Sequence, residues 1–283
     1  MVDTRALNIE AELSAARAQL SASASAALDA QLLLMAALGV ARAYLLAHGE
    51  VLLTAEQAAH YEQLVARAAQ GEPIPYILGK RAFFDFELLV TPAVLIPRPE
   101  TELLLEAALD FARENRVQRA VDVGTGSGAL AVGLARHVPG ARVFATEISS
   151  AALAVALRNA ARYELPIDFM QGDLLAPLIE RGLQVDLLLA NLPYIPSAEV
   201  PTLAVSRYEP LPALDGGADG LDIIRRLLAQ APTVCRAGAC LLLEIGAGQG
   251  DAVAQAAWQA LRPQSCAVLP DYAGHERIVR IIA

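Results

Sequence analysis

Apolar positions along this chain follow two regimes. Over roughly the first 75 residues they recur at helical spacing. Leu28, Leu32, Met35 and Leu38 lie three or four apart, and Gly39 stands where a helix in that register would end. Thr54 opens a further helical stretch, with Gln57 three residues on as a capping-box partner. Three to five short helices in a small bundle are expected. From Arg119 onward, short uncharged runs alternate with helical patterns. Ala120–Val123, Ala141–Thr146, Ile167–Met170, Val185–Ala190 and Ala239–Glu244 read as strands. Ser127–His137, Ser149 to about Tyr163, Leu221–Cys235 and Gln249–Leu261 read as helices. Ser265–Leu269 and Arg277–Ile282 close the chain as two strands with no helix between them. This alternation predicts an α/β fold, a Rossmann-like doubly wound sheet that is mostly parallel, and the closing pair implies one antiparallel strand.

The two regimes meet at Gly71-Glu72-Pro73-Ile74-Pro75, which breaks the helical pattern. Ala82 to Val90 is β-rich and predicts a hairpin. In Ile96-Pro97-Arg98-Pro99-Glu100-Thr101-Glu102, Pro99 suits a first helical turn and the carboxylates suit the positive end of a helix running to about Arg113. Three parts are therefore expected: residues 1–75, helical; 76–95, a hairpin link; and 96–283, the sheet domain.

Composition narrows the class. With 283 residues, 55% hydrophobic and 19% charged, the chain can bury a sizeable core. No apolar run is long enough to span a membrane without Asp, Arg, Gly or Pro intervening. Met1-Val2-Asp3-Thr4-Arg5, followed by Glu10 and Glu12, does not read as a signal peptide, so a cytoplasmic protein without a membrane partner is expected. The net charge of −9, with Lys80 the only lysine, disfavours a phosphate backbone as direct partner. Cys235, Cys240 and Cys266 are odd in number and read as buried thiols, with no metal site expected.

The chemistry gathers around Val185 to Pro196. Val185, Leu187, Leu188, Leu189 and Ala190 form a strand apolar on both faces, as in the middle of a parallel sheet. It ends on Asn191-Leu192-Pro193-Tyr194 at the carboxyl edge, where open α/β sheets bind ligands. A second strand, Val121-Asp122-Val123, runs into Gly124-Thr125-Gly126-Ser127-Gly128 and a helix. Such glycines let the backbone pass close under a ligand, and the helix start offers free N–H donors. Asp122 would repel a pyrophosphate but can face an ammonium. Glu147, about twenty residues past the glycines, suits two ribose hydroxyls. Gly172-Asp173 can meet an adenine edge. A nucleoside with a cationic amino-acid arm and no phosphate is S-adenosylmethionine.

An amide or aromatic amine nitrogen is a poor nucleophile because its lone pair is delocalised. The side-chain oxygen of Asn191 and the backbone carbonyl of Leu192 can each accept one of its protons and hold the nitrogen in line with a methyl group. Tyr194 offers a flat face to a planar group and an electron-rich ring to a sulfonium. The pattern Asn/Asp-Pro-Pro-Tyr marks methyltransferases acting on planar nitrogens. Leu192 replaces its first proline here, and Pro193 still holds Leu192 extended.

With these motifs the chain resembles the HemK family, the release factor glutamine methyltransferases. The resemblance runs through Gly71 to Gly79, Leu95 to Glu102, Asp122 to Gly128, Asn191 to Ile195, Glu209-Pro210 with Ala213 to Asp222, Leu243 to Gly246 and Asp271 to Gly274. It implies methyl transfer from S-adenosylmethionine to the glutamine of a Gly-Gly-Gln loop in peptide chain release factors. It implies that the helical domain grips the release factor, that Gly124 to Gly128, Glu147 and Asn191 bind the cofactor, and that Asn191 to Tyr194 hold the glutamine. Some relatives carry an aromatic residue after the aspartate where this chain has Leu174, which can cover adenine only by apolar contact. The enzyme is expected to act as a monomer. Glu209-Pro210 reads equally as a pocket border or a loop anchor. Two alternatives share the motifs: a methyltransferase for the exocyclic amine of adenine, and a non-catalytic cofactor-binding module.

Overall fold

The computed structural model describes residues 8–283 of the chain, so the stretch Met1 to Arg5, read above against a signal peptide, lies outside the described residues. Two compact units form, one ending at Gly79 and the other Lys80–Ala283. The first is helical, with α1 (Ile9–Gln19), α2 (Ala26–Leu38), α3 (Arg42–Ala47), α4 (Ala55–Ala69) and α5 (Ile74–Leu78). Local signals decide the ends. Gly39 closes α2 in the left-handed region at φ 68°. Thr54 and Gln57 exchange both bonds of a capping box ahead of α4. Leu33, Leu34, Leu45, Tyr61 and Val65 are buried together, and the Tyr61 hydroxyl donates to the Ala30 carbonyl at 3.0 Å, so its polar end is satisfied.

The second unit opens with β1 (Lys80–Phe83) and β2 (Phe86–Leu89), an antiparallel hairpin, then α6 (Pro99–Glu114). The sheet follows with β3 (Arg119–Val123), α7 (Ala129–His137), β4 (Arg142–Glu147), α8 (Ser150–Arg162), β5 (Ile167–Gln171), α9 (Ala176–Glu180) and β6 (Val185–Ala190). It ends with α10 (Asp222–Val234), β7 (Cys235–Glu244), α11 (Gly250–Leu261), β8 (Ser265–Pro270) and β9 (Glu276–Ile282). The seven strands lie in the order β5-β4-β3-β6-β7-β9-β8. Only β9 runs against its two neighbours, the single antiparallel strand expected from the closing pair.

β6 is buried on both faces for a simple reason: Leu187 and Leu189 point into the core under α6 and α7, and Leu188 into the core under α10 and α11. Sheet order reverses between β3 and β6, whose carboxyl ends are level, with Val123 opposite Ala190. Two boundaries in the sheet and its helices differ from the sequence reading by more than one residue. α7 begins at Ala129 rather than Ser127, because Gly128 sits at φ 86° and cannot join the helix. β7 begins at Cys235, since Val185 pairs with it before a register shift carries the ladder to Cys240. The short α9 and three 3-10 turns between Val200 and Ala213 carried no periodic signal. Cys235 and Cys240 are buried, and burial pushes both thiols up to about 12, so they stay protonated. No helix among the described residues is long and apolar enough to cross a membrane.

Asn159 on α8 ties the hairpin to the sheet. Its Oδ1 accepts from Leu89 N–H at 2.7 Å, and its Nδ2 donates to the carbonyls of Leu89 (2.9 Å) and Ser127 (2.8 Å). Ser127 belongs to the glycine turn, so one buried side chain holds both. Asn159→Leu leaves three backbone groups unpaired, each costing about 1–3 kcal/mol. Urea denaturation should show a loss of about 3 kcal/mol or more.

Candidate active site

A cavity of about 450 Å³ opens at the carboxyl edge of the sheet, over the turn after β3 and the tips of β4, β5 and β6. This size suits a nucleoside-sized ligand. Its floor is the glycine turn. Gly124 adopts φ 70°, and a Cβ there would come within 2.9 Å of Leu192 Cδ2, so a glycine serves both the turn and the approach of the β6 loop.

Asp122 supports that turn from behind. It is buried, and its Oδ2 accepts from the Thr125 hydroxyl at 2.6 Å and from Ala131 N–H at 3.0 Å. Burial pushes its carboxyl up from 3.8 to about 7; the two hydrogen bonds oppose the rise, and the charge of Glu147 adds to it. Glu147, at the end of β4, accepts Gly126 N–H on Oε2 and Ser149 N–H on Oε1, both at 2.9 Å. These bonds fix the carboxylate across the turn, and each oxygen keeps acceptor capacity for a ligand hydroxyl. Ile148 follows it as an apolar cavity wall, 63% exposed. Leu174 also lines the cavity, and the carboxylate of Asp173 pairs with Arg226.

At the tip of β6, Asn191 lines the cavity and its Nδ2 donates to Thr101 Oγ1 at 2.9 Å. That leaves Oδ1 as the available acceptor. Thr101 is itself buried and faces Glu244, whose charged form it favours. Burial nevertheless raises the Glu244 carboxyl from 4.5 to about 7. The Tyr194 hydroxyl reaches Glu244 Oε1 at 3.4 Å, and burial pushes the phenol up to about 12.

Of the residues singled out by sequence, the cavity brings together Asp122, Gly124, Thr125, Gly126, Ser127, Glu147, Asp173, Leu174, Asn191, Leu192 and Pro193. Gly128 and Tyr194 are not in the lining: Gly128 caps α7, and the Tyr194 hydroxyl turns to Glu244. Sequence reasoning gave no site role to Thr101 or Ile148 and did not show how the segment after Tyr194 folds. Thr101 stood in a stretch read as a helix start and as part of the family resemblance, with no role at the site. The segment folds back, with Ile195 bridged to Asp215 and Gly216 N–H donating to Ile195 O at 2.9 Å. A Cβ on Gly216 would come within 2.7 Å of the Pro193 carbonyl, which explains the glycine. Arg98 Nη2 lies 2.7 Å from both oxygens of the buried Glu209, anchoring the segment, while Pro210 next to it lines the cavity. Both readings of Glu209-Pro210 therefore hold, one for each residue.

Comparison with known proteins agrees with this architecture. A sequence family described as PrmC N-terminal domain matches residues 12–79, and one described as Methyltransferase domain matches residues 120–208. A release factor glutamine methyltransferase of Moorella thermoacetica is 46% identical over 88% of this chain and 89% of that protein. The chain belongs to the release factor glutamine methyltransferase family. The family member of Bacillus subtilis is 38% identical over 88% of this chain and 89% of its own length. Among solved structures, a methyltransferase from Pyrococcus furiosus shares the fold at TM-score 0.53 and 18% identity, covering 77% of this chain and 95% of that one.

The cavity fits S-adenosylmethionine on its own chemistry: a glycine turn whose backbone a ligand can approach closely, a fixed carboxylate in Glu147, and the apolar walls of Ile148 and Leu174. Asp122 also gives a pH signature. Its folded value lies above its unfolded one, so its contribution to stability is full below about 4 and is lost as pH rises through about 7. Asp122→Asn keeps an oxygen acceptor without the charge. Denaturation of both proteins should show the variant gaining on the wild type between pH 5 and pH 8.

Proposed function

We propose that this chain transfers a methyl group from S-adenosylmethionine to the side-chain amide nitrogen of the glutamine in the Gly-Gly-Gln loop of peptide chain release factors. The observation that carries the reading is the fixed amide of Asn191 beside the glycine turn: its nitrogen is engaged by Thr101, and its oxygen is left to accept. Membership of the family supports the same substrate.

The chain's own residues take these parts. The backbone of Gly124 to Gly128 lies close under the nucleoside, and the carboxylate of Glu147 holds it through the ribose hydroxyls. Ile148 and Leu174 enclose the base, and Asp173 or the backbone beside it meets the adenine edge. Asp122 keeps the turn in shape and lends a negative potential toward the cationic arm. The bound cofactor supplies an electrophilic methyl group on a sulfonium. Asn191 Oδ1 and the Leu192 carbonyl accept the two protons of the substrate amide, holding its nitrogen in line and favouring the positive charge that develops there. Pro193 keeps Leu192 extended. Tyr194 backs the motif from outside the cavity lining, its hydroxyl on Glu244. The N-terminal helical unit serves as the docking surface for the release factor, and the enzyme acts as a cytoplasmic monomer without direct contact to nucleic acid.

Mass spectrometry of a release factor incubated with enzyme and cofactor should find one added methyl on that glutamine; an unmodified peptide while cofactor binds would refute the reading. Asn191→Ala separates chemistry from binding. Its methylation rate should fall about 100-fold or more, the scale for one preorganised polar group, while calorimetry finds only a moderate loss of cofactor affinity.

A further inference from the structure

Glu244 is 1% exposed, stands behind the cavity rather than in its lining, and its Oε2 is buried without a hydrogen-bond partner. A buried carboxylate with an orphan oxygen is costly to keep. Its surroundings lead directly to the site. Thr101 faces it from α6, the Tyr194 hydroxyl approaches Oε1 from the β6 loop, and the same Thr101 accepts from Asn191 Nδ2 at 2.9 Å. The asparagine and the tyrosine of one four-residue motif thus converge on one carboxylate.

Building on the methyl-transfer reading of Asn191, we infer that Thr101 and Glu244 are positioning residues that decide which end of the Asn191 amide meets the substrate. A hydroxyl has a single proton, and an ionised carboxylate can only accept. Thr101 Oγ1 already accepts from Asn191 Nδ2 at 2.9 Å, so its one proton is left to turn to the neighbouring Glu244, whose charged form it favours. Only an N–H can meet the lone pairs of Oγ1. A flipped amide would set Oδ1 against those lone pairs and present NH2 to the substrate's own NH2, donor against donor. The two ends of a carboxamide have nearly the same shape, so packing alone does not choose between them.

The choice depends on the charge of Glu244. When the carboxyl is protonated it becomes a donor to Thr101, whose proton can then swing to Asn191 and favour the flipped amide. The groups that set this equilibrium are Thr101 and Glu100 on α6, Tyr194 after β6, and Arg277 on β9. Burial and Glu100 favour the neutral acid; Thr101, Arg277 and Tyr194 favour the anion. Ordered, accepting Asn191 is the high-pH form.

Two measurements test this on the full-length enzyme. In kinetics, Thr101→Val should lower kcat at least 10-fold with cofactor affinity kept within about 2-fold, and Thr101→Ser, which retains the hydroxyl, should restore most of the rate. A wild-type kcat in Thr101→Val, or a serine variant as slow as the valine one, would overturn the assignment. In NMR, the side-chain amide signals of Asn191, identified by their loss in Asn191→Ala, should titrate in the wild type with a midpoint near 7 and stop titrating in Glu244→Gln. Signals that ignore pH in the wild type, or titrate unchanged in Glu244→Gln, would overturn it even if the valine variant does not fold. The NMR arm needs no substrate. A wild-type enzyme that fails to methylate release factor would therefore count against the proposed function alone.

Discussion

The pairing of β3 with β6 is the contact on which the site depends. Each strand leaves the sheet at the same level, Val123 opposite Ala190, and the chain order reverses between them. The chain leaves β3 for α7 on one face of the sheet and β6 for α10 on the other, so two loops of different origin can meet there. One contributes the glycine turn, the other Asn191 and Leu192. Gly124 is near enough to Leu192 that a single methyl group would fill the space between them. Burial of Leu187, Leu188 and Leu189 on alternate faces fixes the register of β6, and a slip of one residue would turn Asn191 to the wrong side of the sheet.

Among the described residues four carboxylates are buried, and besides Glu147 three of them each hold a loop rather than a partner strand. Asp122 secures the glycine turn through Thr125 and Ala131. Glu209 fastens the segment after Tyr194 to Arg98. Glu244 stands behind Asn191 and Tyr194. Burial raises all three, opposed at Asp122 by neutral donors and at Glu209 by a guanidinium. The desolvation cost is concentrated where backbone without regular structure has to be held still. Regular strands need no such support, because their backbone groups satisfy one another.

Much of this could be read from the sequence, and the division follows the range of the signal. Strand β6, the capping box at Thr54 and the start of α6 at Pro99 are encoded within a few residues, and each formed where its local chemistry indicated. Asp122, Glu147 and Asn191 were legible as strand-tip residues because the period of the strands announced where the sheet would end. The partner of Asn191 was not. Thr101 lies ninety residues earlier, and only the folded sheet brings it to the amide. Tyr194 was expected to present itself to the ligand, yet its hydroxyl has a buried acid to reach. The segment from Ile195 to Leu221 has no period at all; its conformation rests on a bridge to Asp215 and an ion pair to Glu209.

The central claim is that the reversal of strand order sets an acceptor, Asn191 Oδ1, against the nitrogen to be methylated, above a nucleoside held on the glycine turn. The most direct measurement is a crystal structure of the enzyme with S-adenosylhomocysteine and a glutamine-containing release factor. The predicted result has the nucleoside over Gly124 to Gly128 with its ribose on Glu147, and the glutamine nitrogen within hydrogen-bond distance of both Asn191 Oδ1 and the Leu192 carbonyl. A glutamine held elsewhere, or an Asn191 amide whose nitrogen faces it, would contradict the account.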